Sequence, residues 1–193
     1  MFSVKNHTFE MLVEKQSKFI AHLMPYSEYA ETLEVLEEEH PKARHFVTAF
    51  RYINEFDQVV EGSSDDGEPK GTSGRPTLSV LQGHKLINVA VVVVRYFGGT
   101  KLGTGGLVRA YSNATNLVVD AAELQIYKKE KSISISTSYS NMGRVEYALG
   151  QHEVKIVEKS FGNLEVTMQI MATAEVLKQC CSEIERIIKI EEK

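Results

Sequence analysis

The alternation of apolar and polar residues along the chain predicts two successive sets of strands and helices. The first set contains strands over 9–14, 18–24, 45–53 and 87–95 and helices over 28–39, 76–83 and 107–122. The segment 54–75, between the strand at 45–53 and the helix at 76–83, is polar, which predicts one long loop. Because the strand at 87–95 is apolar on both faces, we expect it in the middle of a sheet.

The second set follows a change of pattern after Glu123. Isoleucines alternate with serines over 132–139, a short helix spans 142–150, and strands over 154–159 and 164–170 flank a Gly162-Asn163 turn. Thr173 is the expected N-cap of a last helix. This β-α-β-β-α order predicts a ferredoxin-like domain whose fourth strand has no clear signature. We place the domain boundary between 127 and 128, giving domains 1–127 and 128–193.

Composition narrows the class of protein. The chain has 193 residues, of which 42% are hydrophobic and 25% charged, as expected for a globular protein. Its longest apolar run, 89–94, is far shorter than the ~18 residues of a membrane span. The two cysteines are adjacent within a predicted helix, which indicates neither a disulfide framework nor a cysteine metal site. We therefore expect a cytoplasmic protein that does not enter a membrane.

Charge is distributed unevenly along the chain. The net charge is -4, yet residues 69–119 contain no Asp or Glu. The basic residues of this stretch are Lys70, Arg75, Lys85, Arg95, Lys101 and Arg109. Such a segment favours a negatively charged partner.

A glycine-rich loop joins the valine-rich strand to the long helix within this basic stretch. Its glycines are Gly98, Gly99, Gly103, Gly105 and Gly106. Unpaired amides at a helix N-terminus, with Lys101 and Arg95 nearby, predict a phosphate site. The loop matches neither a Walker A motif nor the dinucleotide fingerprint. The alternative interpretation is that the glycines only permit tight turns and close packing.

The loop before the second helix carries three carboxylates, those of Asp65, Asp66 and Glu68. They suggest two alternatives: a Mg²⁺ site, or hydrogen bonds from Asp66 and Glu68 that fasten the loop to Arg95 or Arg109. We favour fastening, because unpaired carboxylates would repel an anion. We assign no catalytic residue, since Ser73 has no identifiable base and the histidines lack metal-ligand spacing.

Two long motifs carry a resemblance to a known family. The segments DDGEPKGTSGRP at 65–76 and VRYFGGTKLGTGGLVRAY at 94–111, with shorter matches at 18–21 and 43–45, resemble the YigZ/IMPACT family in its bacterial, two-domain form. The resemblance implies an N-terminal ribosomal-protein-like α/β domain similar to domain IV of elongation factor G. It also implies a C-terminal ferredoxin-like domain similar to domain V of that factor.

The same resemblance implies contact with the translation machinery, because both folds commonly meet RNA. Eukaryotic members restrain an amino-acid-starvation kinase by competing for its ribosome-associated activator, a role that we do not carry over to the bacterial form. Fold alone does not fix function.

The sequence therefore predicts an α+β protein of two domains that binds RNA or the ribosome, or a translation-associated protein, and modulates translation without catalysis or a cofactor. The expected contacts are Lys70, Arg75, Arg95, Lys101 and Arg109 with the amides of the glycine-rich loop. One alternative is a metal-assisted enzyme acting on a nucleotide or phosphorylated small molecule, with Asp66 and Glu68 holding Mg²⁺. Another is a module that recognises acidic protein partners.

Overall fold

The chain divides into two compact units, with the division between Tyr127 and Lys128. The structure, a computed structural model, describes residues 1–191. Both units combine helices with antiparallel sheets, so the predicted two-domain α+β class is confirmed. No helix among the described residues is long and apolar enough to cross a membrane.

The N-terminal unit is built around a five-stranded sheet. Its elements are β1 (Phe2–Val4), β2 (Thr8–Glu14), β3 (Ser17–Pro25), α1 (Tyr29–Glu39), β4 (His45–Ile53), β5 (Val59–Ser64), α2 (Gly74–Gly83), β6 (Val89–Tyr96), α3 (Thr104–Ala121) and β7 (Leu124–Ile126). The large sheet has the order β2-β3-β6-β4-β5, and β1 pairs with β7 in a separate sheet. As predicted, the valine-rich strand is central.

Helices cover both faces of this sheet. Val91 and Val93 point into a core shared with α2 and α3, whereas Val92 and Val94 point into a core shared with α1. All four valines are fully buried. The lack of polar positions along β6 therefore reflects burial on both of its faces.

The prediction of a continuous loop over 54–75 is wrong for residues 59–64, which form β5 and pair with β4. As an edge strand, β5 has one hydrogen-bonded neighbour and few buried side chains, so its sequence lacks an apolar alternation. The ring of Phe50 packs on Gly62, where a Cβ would stand 2.3 Å from its Cζ. The long helix also starts earlier than predicted, at Thr104 instead of Leu107.

The C-terminal unit has the β-α-β-β-α-β order of a ferredoxin-like fold. Its elements are β8 (Glu130–Ser138), α4 (Met142–Gln151), β9 (Lys155–Phe161), β10 (Glu165–Thr173), α5 (Ala174–Ile184) and β11 (Lys189–Glu191). The sheet order is β11-β8-β10-β9, with every pair antiparallel. β11 is the fourth strand that the sequence pattern did not locate, and it contains only three residues.

The last helix has the predicted cap and apolar stripe. The side chain of Thr173 accepts a hydrogen bond from the Val176 amide at 3.4 Å. Cys180 and Cys181 are free and buried in the core of this unit. Burial raises the pKa of the Cys180 thiol to about 11, so both thiols serve as small apolar core residues.

A row of histidines crosses one face of the large sheet. His22 on β3 is buried, shares a hydrogen bond with His7 at 3.1 Å, and lies 6.4 Å from the ring of His40. His40 in turn bonds the Tyr96 hydroxyl at 2.9 Å. Burial first, and then the neighbouring imidazoles, lower the pKa of His22 from 6.5 to about 4.

The lowered pKa of His22 predicts acid sensitivity of the N-terminal unit. Because the folded state resists protonation of His22, its stability falls as the pH decreases from about 6.5 towards 4. The full shift corresponds to about 3 kcal/mol of unfolding free energy. In urea titrations between pH 7 and 5, His22→Gln should flatten the dependence of this free energy on pH. An unchanged slope in the variant would contradict the assignment.

Candidate functional site

Asp65 organises the loop that precedes α2. Its carboxylate accepts hydrogen bonds from the amides of Gly71 (2.7 Å), Ser73 (3.1 Å) and Gly74 (2.8 Å), and from the Ser73 hydroxyl (2.7 Å). Burial would raise the pKa of Asp65, but these hydrogen bonds outweigh it and hold the pKa below its usual value. Asp65 thereby caps α2, so the first amides of that helix already have a hydrogen-bond acceptor.

Asp66 fastens the same loop to the sheet. Its Oδ2 accepts a hydrogen bond from the Phe46 amide at 2.6 Å, and its carbonyl oxygen accepts one from His45 Nδ1 at 2.7 Å. Both partners lie on β4. The contact is therefore with the strand backbone and His45, and not with the arginines that the sequence suggested.

Glu68 is the buried centre of this region. Its Oε1 accepts hydrogen bonds from Arg95 Nη1 and from the Tyr111 hydroxyl, the latter at 2.8 Å, and lies 3.9 Å from His45 Nε2. Glu68 and Arg95 are only 8% and 5% exposed. Burial, and then the Glu68 carboxylate, raise the pKa of Tyr111 well above its usual range, so its hydroxyl stays protonated and donates.

Arg95 is a structural residue of this network. Its guanidinium carbon lies 5.3 Å from the centre of the Phe19 ring and 5.9 Å from that of Phe97. Its Nε is buried and has no hydrogen-bond partner within residues 1–191. Of the two arginines proposed as anchors for the loop, Arg95 takes this place, whereas Arg109 is exposed.

The three carboxylates of the loop thus have separate partners. Asp65 binds backbone amides, Asp66 binds β4, and Glu68 binds Arg95 and Tyr111. In the part of the chain that the structure describes, no three His, Cys, Asp or Glu side chains come together in a metal-binding arrangement. The arrangement supports the fastening interpretation over a shared Mg²⁺ site.

The glycines after β6 have different roles. A Cβ on Gly98 would lie 2.0 Å from the backbone carbon of Gln16, and the Gly98 amide donates to Ser17 Oγ at 3.1 Å. Gly98 therefore permits close packing on the β2–β3 turn, and its amide is already used. Gly99 and Gly103 have φ values of +89° and +74°, which glycine adopts without strain.

The N-terminus of α3 remains open. Its N-cap residue is Gly103, which has no side chain to cap the helix, and its first turn has no acidic residue. Gly105 and Gly106 place no side chains over the first-turn amides. Exposed Lys101 precedes the helix, and Arg109 Nη1 reaches to 3.9 Å from the Cβ position of Gly105. Amides, helix dipole and cations can together bind an anion here.

Helices α2 and α3 run in the same direction. His84 at the end of α2 bonds Asn116 at 2.9 Å, while the loop before α2 reaches Tyr111 through Glu68. The first turns of both helices consequently lie at one end of the unit. This places Arg75, and the loop that carries Lys70, towards the same end as Lys101 and Arg109, all four exposed. Lys85, beyond the end of α2, lies at the opposite end.

Comparison with known proteins identifies the family. Residues 15–119, which include both long motifs, match the Impact N-terminal domain. The chain belongs to the IMPACT family. It is 38% identical to an IMPACT family member of Haemophilus influenzae over 76% of this chain and 73% of that protein. It is 36% identical to YigZ, an IMPACT family member of Escherichia coli, over 76% of this chain and 74% of that protein.

A crystal structure of a hypothetical protein has the same fold as this IMPACT family chain. It superposes with a TM-score of 0.73 at 29% identity, covering 100% of this chain and 98% of the other. The match extends over both units, in agreement with the α+β architecture.

Two residues of the network, His45 and Tyr111, were not singled out as site residues from sequence, and Asp65 was considered only as a possible Mg²⁺ ligand. Tyr111 lies on the apolar face of α3, so its sequence position does not distinguish it from an ordinary core aromatic residue. Only the structure shows that its hydroxyl donates a hydrogen bond to Glu68. For Asp65 a signal existed, because an Asp before Gly71, Ser73 and Gly74 is typical of a loop whose amides need an acceptor.

The buried pair of Glu68 and Arg95 should be strongly coupled. Glu68→Gln or Arg95→Met leaves one unpaired buried charge, and each should lower the free energy of unfolding by roughly 3–5 kcal/mol. The double variant should lose clearly less than the two single losses combined, because neither charge remains. Urea unfolding of the four proteins measures this coupling. Additive losses would contradict it.

Gly98 and Gly99 form a matched pair of test positions. Gly98→Ala should cost about 3 kcal/mol, because the new methyl group meets the backbone of Gln16. Gly99→Ala has open space and should cost only about 1 kcal/mol, from its left-handed backbone. Thermal unfolding of both variants compares the costs. Equal losses would show that packing at Gly98 is not limiting.

Proposed function

We propose that this chain is a non-enzymatic cytoplasmic protein that binds RNA or the ribosome and modulates translation. The amides in the first turn of α3 would donate hydrogen bonds to phosphate groups. Lys70, Arg75, Lys101 and Arg109 would add positive charge around them. Membership of the IMPACT family supports the link to translation through the RNA-contacting folds that the resemblance implies. The geometry of the N-terminal unit supports the site.

The observation that carries this proposal is the open N-terminus of α3 in a segment free of carboxylates. A helix N-terminus carries roughly half a positive charge and presents unpaired amides. At α2 the first amides bind the Asp65 carboxylate, whereas the N-cap of α3 is Gly103, which has no side chain, and the first turn of α3 has no acidic residue. Exposed Lys101 and Arg109 add formal positive charge.

Two of the expected contacts are left out of this proposal. Arg95 is buried against Glu68, and the Gly98 amide donates to Ser17, so both support the site from beneath. Gly99, Gly103, Gly105 and Gly106 remain in the loop and first turn that a phosphate would meet. A chain of phosphates suits the four exposed cations better than a single small anion does.

The alternative of a metal-assisted enzyme receives no comparable support. It requires Asp66 and Glu68 to present free oxygens to one cation, yet Asp66 bonds β4 and Glu68 lies in the buried network. Recognition of an acidic protein would use the same exposed cations, and the experiment below separates it from RNA binding.

Replacement of two cations should weaken RNA binding. We expect Lys101→Ala/Arg109→Ala to reduce affinity for a single-stranded RNA of about 20 nucleotides at least tenfold at low salt. The slope of log affinity against log salt should decrease by about 1.4, because two phosphate contacts are lost. Fluorescence anisotropy at several salt concentrations measures both quantities, with duplex RNA and a mononucleotide panel as further ligands.

The matched control is Lys5→Ala/Lys42→Ala, which removes two exposed lysines outside the carboxylate-free segment. It should bind RNA like the unchanged protein. Equal losses in the two variants would show only non-specific attraction. Selective mononucleotide binding without RNA affinity would favour the enzyme hypothesis, and binding of poly-glutamate with no RNA affinity would favour an acidic protein partner.

A further inference from the structure

An apolar strip is exposed on strand β2. Phe9, Met11 and Val13 are 64%, 51% and 55% exposed, and they alternate along the strand. They lie opposite His22, Ile20 and Lys18 of β3 in the antiparallel register. Side chains opposite each other in such a pair share a face. Since Ile20 also contacts the α1 core, the strip belongs to the α1 face of the sheet.

The two faces of this sheet are covered unequally. In residues 1–127, α2 and α3 contribute to the core on one face, whereas α1 is the helix that packs on the other, against β6. Five strands span about 19 Å at 4.8 Å spacing, and a helix covers about 10 Å. α1 therefore leaves β2 uncovered on this face, where Phe9, Met11 and Val13 are exposed beside exposed Lys18 of β3.

One more helix would fit beside α1 on this face of the sheet. Met24 and His22 of β3 are already buried on this face, so the uncovered strand is β2. β2 lies two strand spacings, about 10 Å, from β6, on which α1 packs, and packed helices lie about 8–10 Å apart. A helix lying along β2 would therefore sit beside α1, as two helices do on the opposite face. Three exposed side chains are too small an area for a standard dimer, which buries about 800 Å² per partner. A single docked helix needs less area. It contacts an apolar strip through apolar side chains spaced one helical turn apart.

The negative charge of α1 indicates which residues a helix docked beside it would carry on its facing side. α1 carries five glutamates in eleven residues and no Lys or Arg. At 3.6 residues per turn, Glu34 and Glu37 border one side of its buried stripe, and Glu39, with Glu28 just before the helix, borders the other. Whichever side faces β2, a neighbouring helix meets a pair of glutamates. Lysine or arginine along its facing flank would be complementary.

We propose that the Phe9-Met11-Val13 strip docks an amphipathic helix of a partner protein, with an apolar face on β2 and a basic flank against α1. The strip is on the face of the sheet opposite to α2 and α3. The proposal is thus independent of the phosphate site at α3, and either can fail alone.

Two synthetic helical peptides of about 18 residues test the proposal. Both carry leucines along one face; one has lysines along a flank of that face, and the other has glutamates there. The lysine peptide should bind the full chain and gain helical circular dichroism on binding, and the glutamate peptide should bind at least tenfold more weakly. Fluorescence anisotropy gives the affinities.

Met11→Ser should reduce affinity for the lysine peptide about tenfold, since it removes the centre of the strip. The control Leu164→Ser, at a residue 82% exposed in the C-terminal unit, should leave it unchanged. One of the double reversals Glu34→Lys/Glu37→Lys and Glu28→Lys/Glu39→Lys should shift the preference towards the glutamate peptide. This reversal is a readout that loss of folding cannot imitate.

Several outcomes would overturn the proposal. Equal affinity for both peptides, or no effect of Met11→Ser, would remove the docking site. Binding in an extended conformation would replace the helix by an added strand on the β2 edge. Dimerisation of the chain in sedimentation velocity, abolished by Met11→Ser, would make the occupant a second copy.

Discussion

The buried ion pair of Glu68 with Arg95 links three elements of the N-terminal unit beneath the proposed phosphate site. It joins the loop before α2 to the central strand β6, and the Tyr111 hydroxyl adds α3 to the same oxygen of Glu68. Burying two charges is costly, and the cost is offset only when the pair is well hydrogen-bonded. The rest of the site depends on this constraint, because the loop, β6 and α3 cannot move independently while it is intact.

The pair also decides which charges remain available to a ligand. Glu68 neutralises Arg95 beneath the surface, while Asp65 and Asp66 are used by the loop backbone and β4. The carboxylates of the loop are thus occupied within the protein, while Lys70, Arg75, Lys101 and Arg109 stay exposed towards the N-terminal ends of α2 and α3. A basic surface thus results from internal neutralisation as well as from composition.

Local pattern predicted most elements because burial imposes it directly. The valine run of β6 and the serine-isoleucine alternation of β8 each record which faces are buried. The pattern failed at β5 on the sheet edge, where burial is slight, and at β1, β7 and β11, which have only three residues each. Similarly, Arg95 looks like any other cation of its segment. Its burial depends on Glu68, 27 residues earlier, and only the fold brings the two together.

The uneven charge along the sequence becomes a division between the two faces of one sheet. The segment without carboxylates supplies α2, β6 and the first turns of α3, whereas the glutamate-rich α1 packs on the opposite face. Layers on either side of a sheet are about 20 Å apart, which exceeds the Debye length of about 8 Å at physiological salt. The glutamates of α1 are therefore largely screened from the N-terminus of α3. A phosphate site on one face and an acidic surface on the other can coexist in one small domain, because the sheet separates them by more than the Debye length.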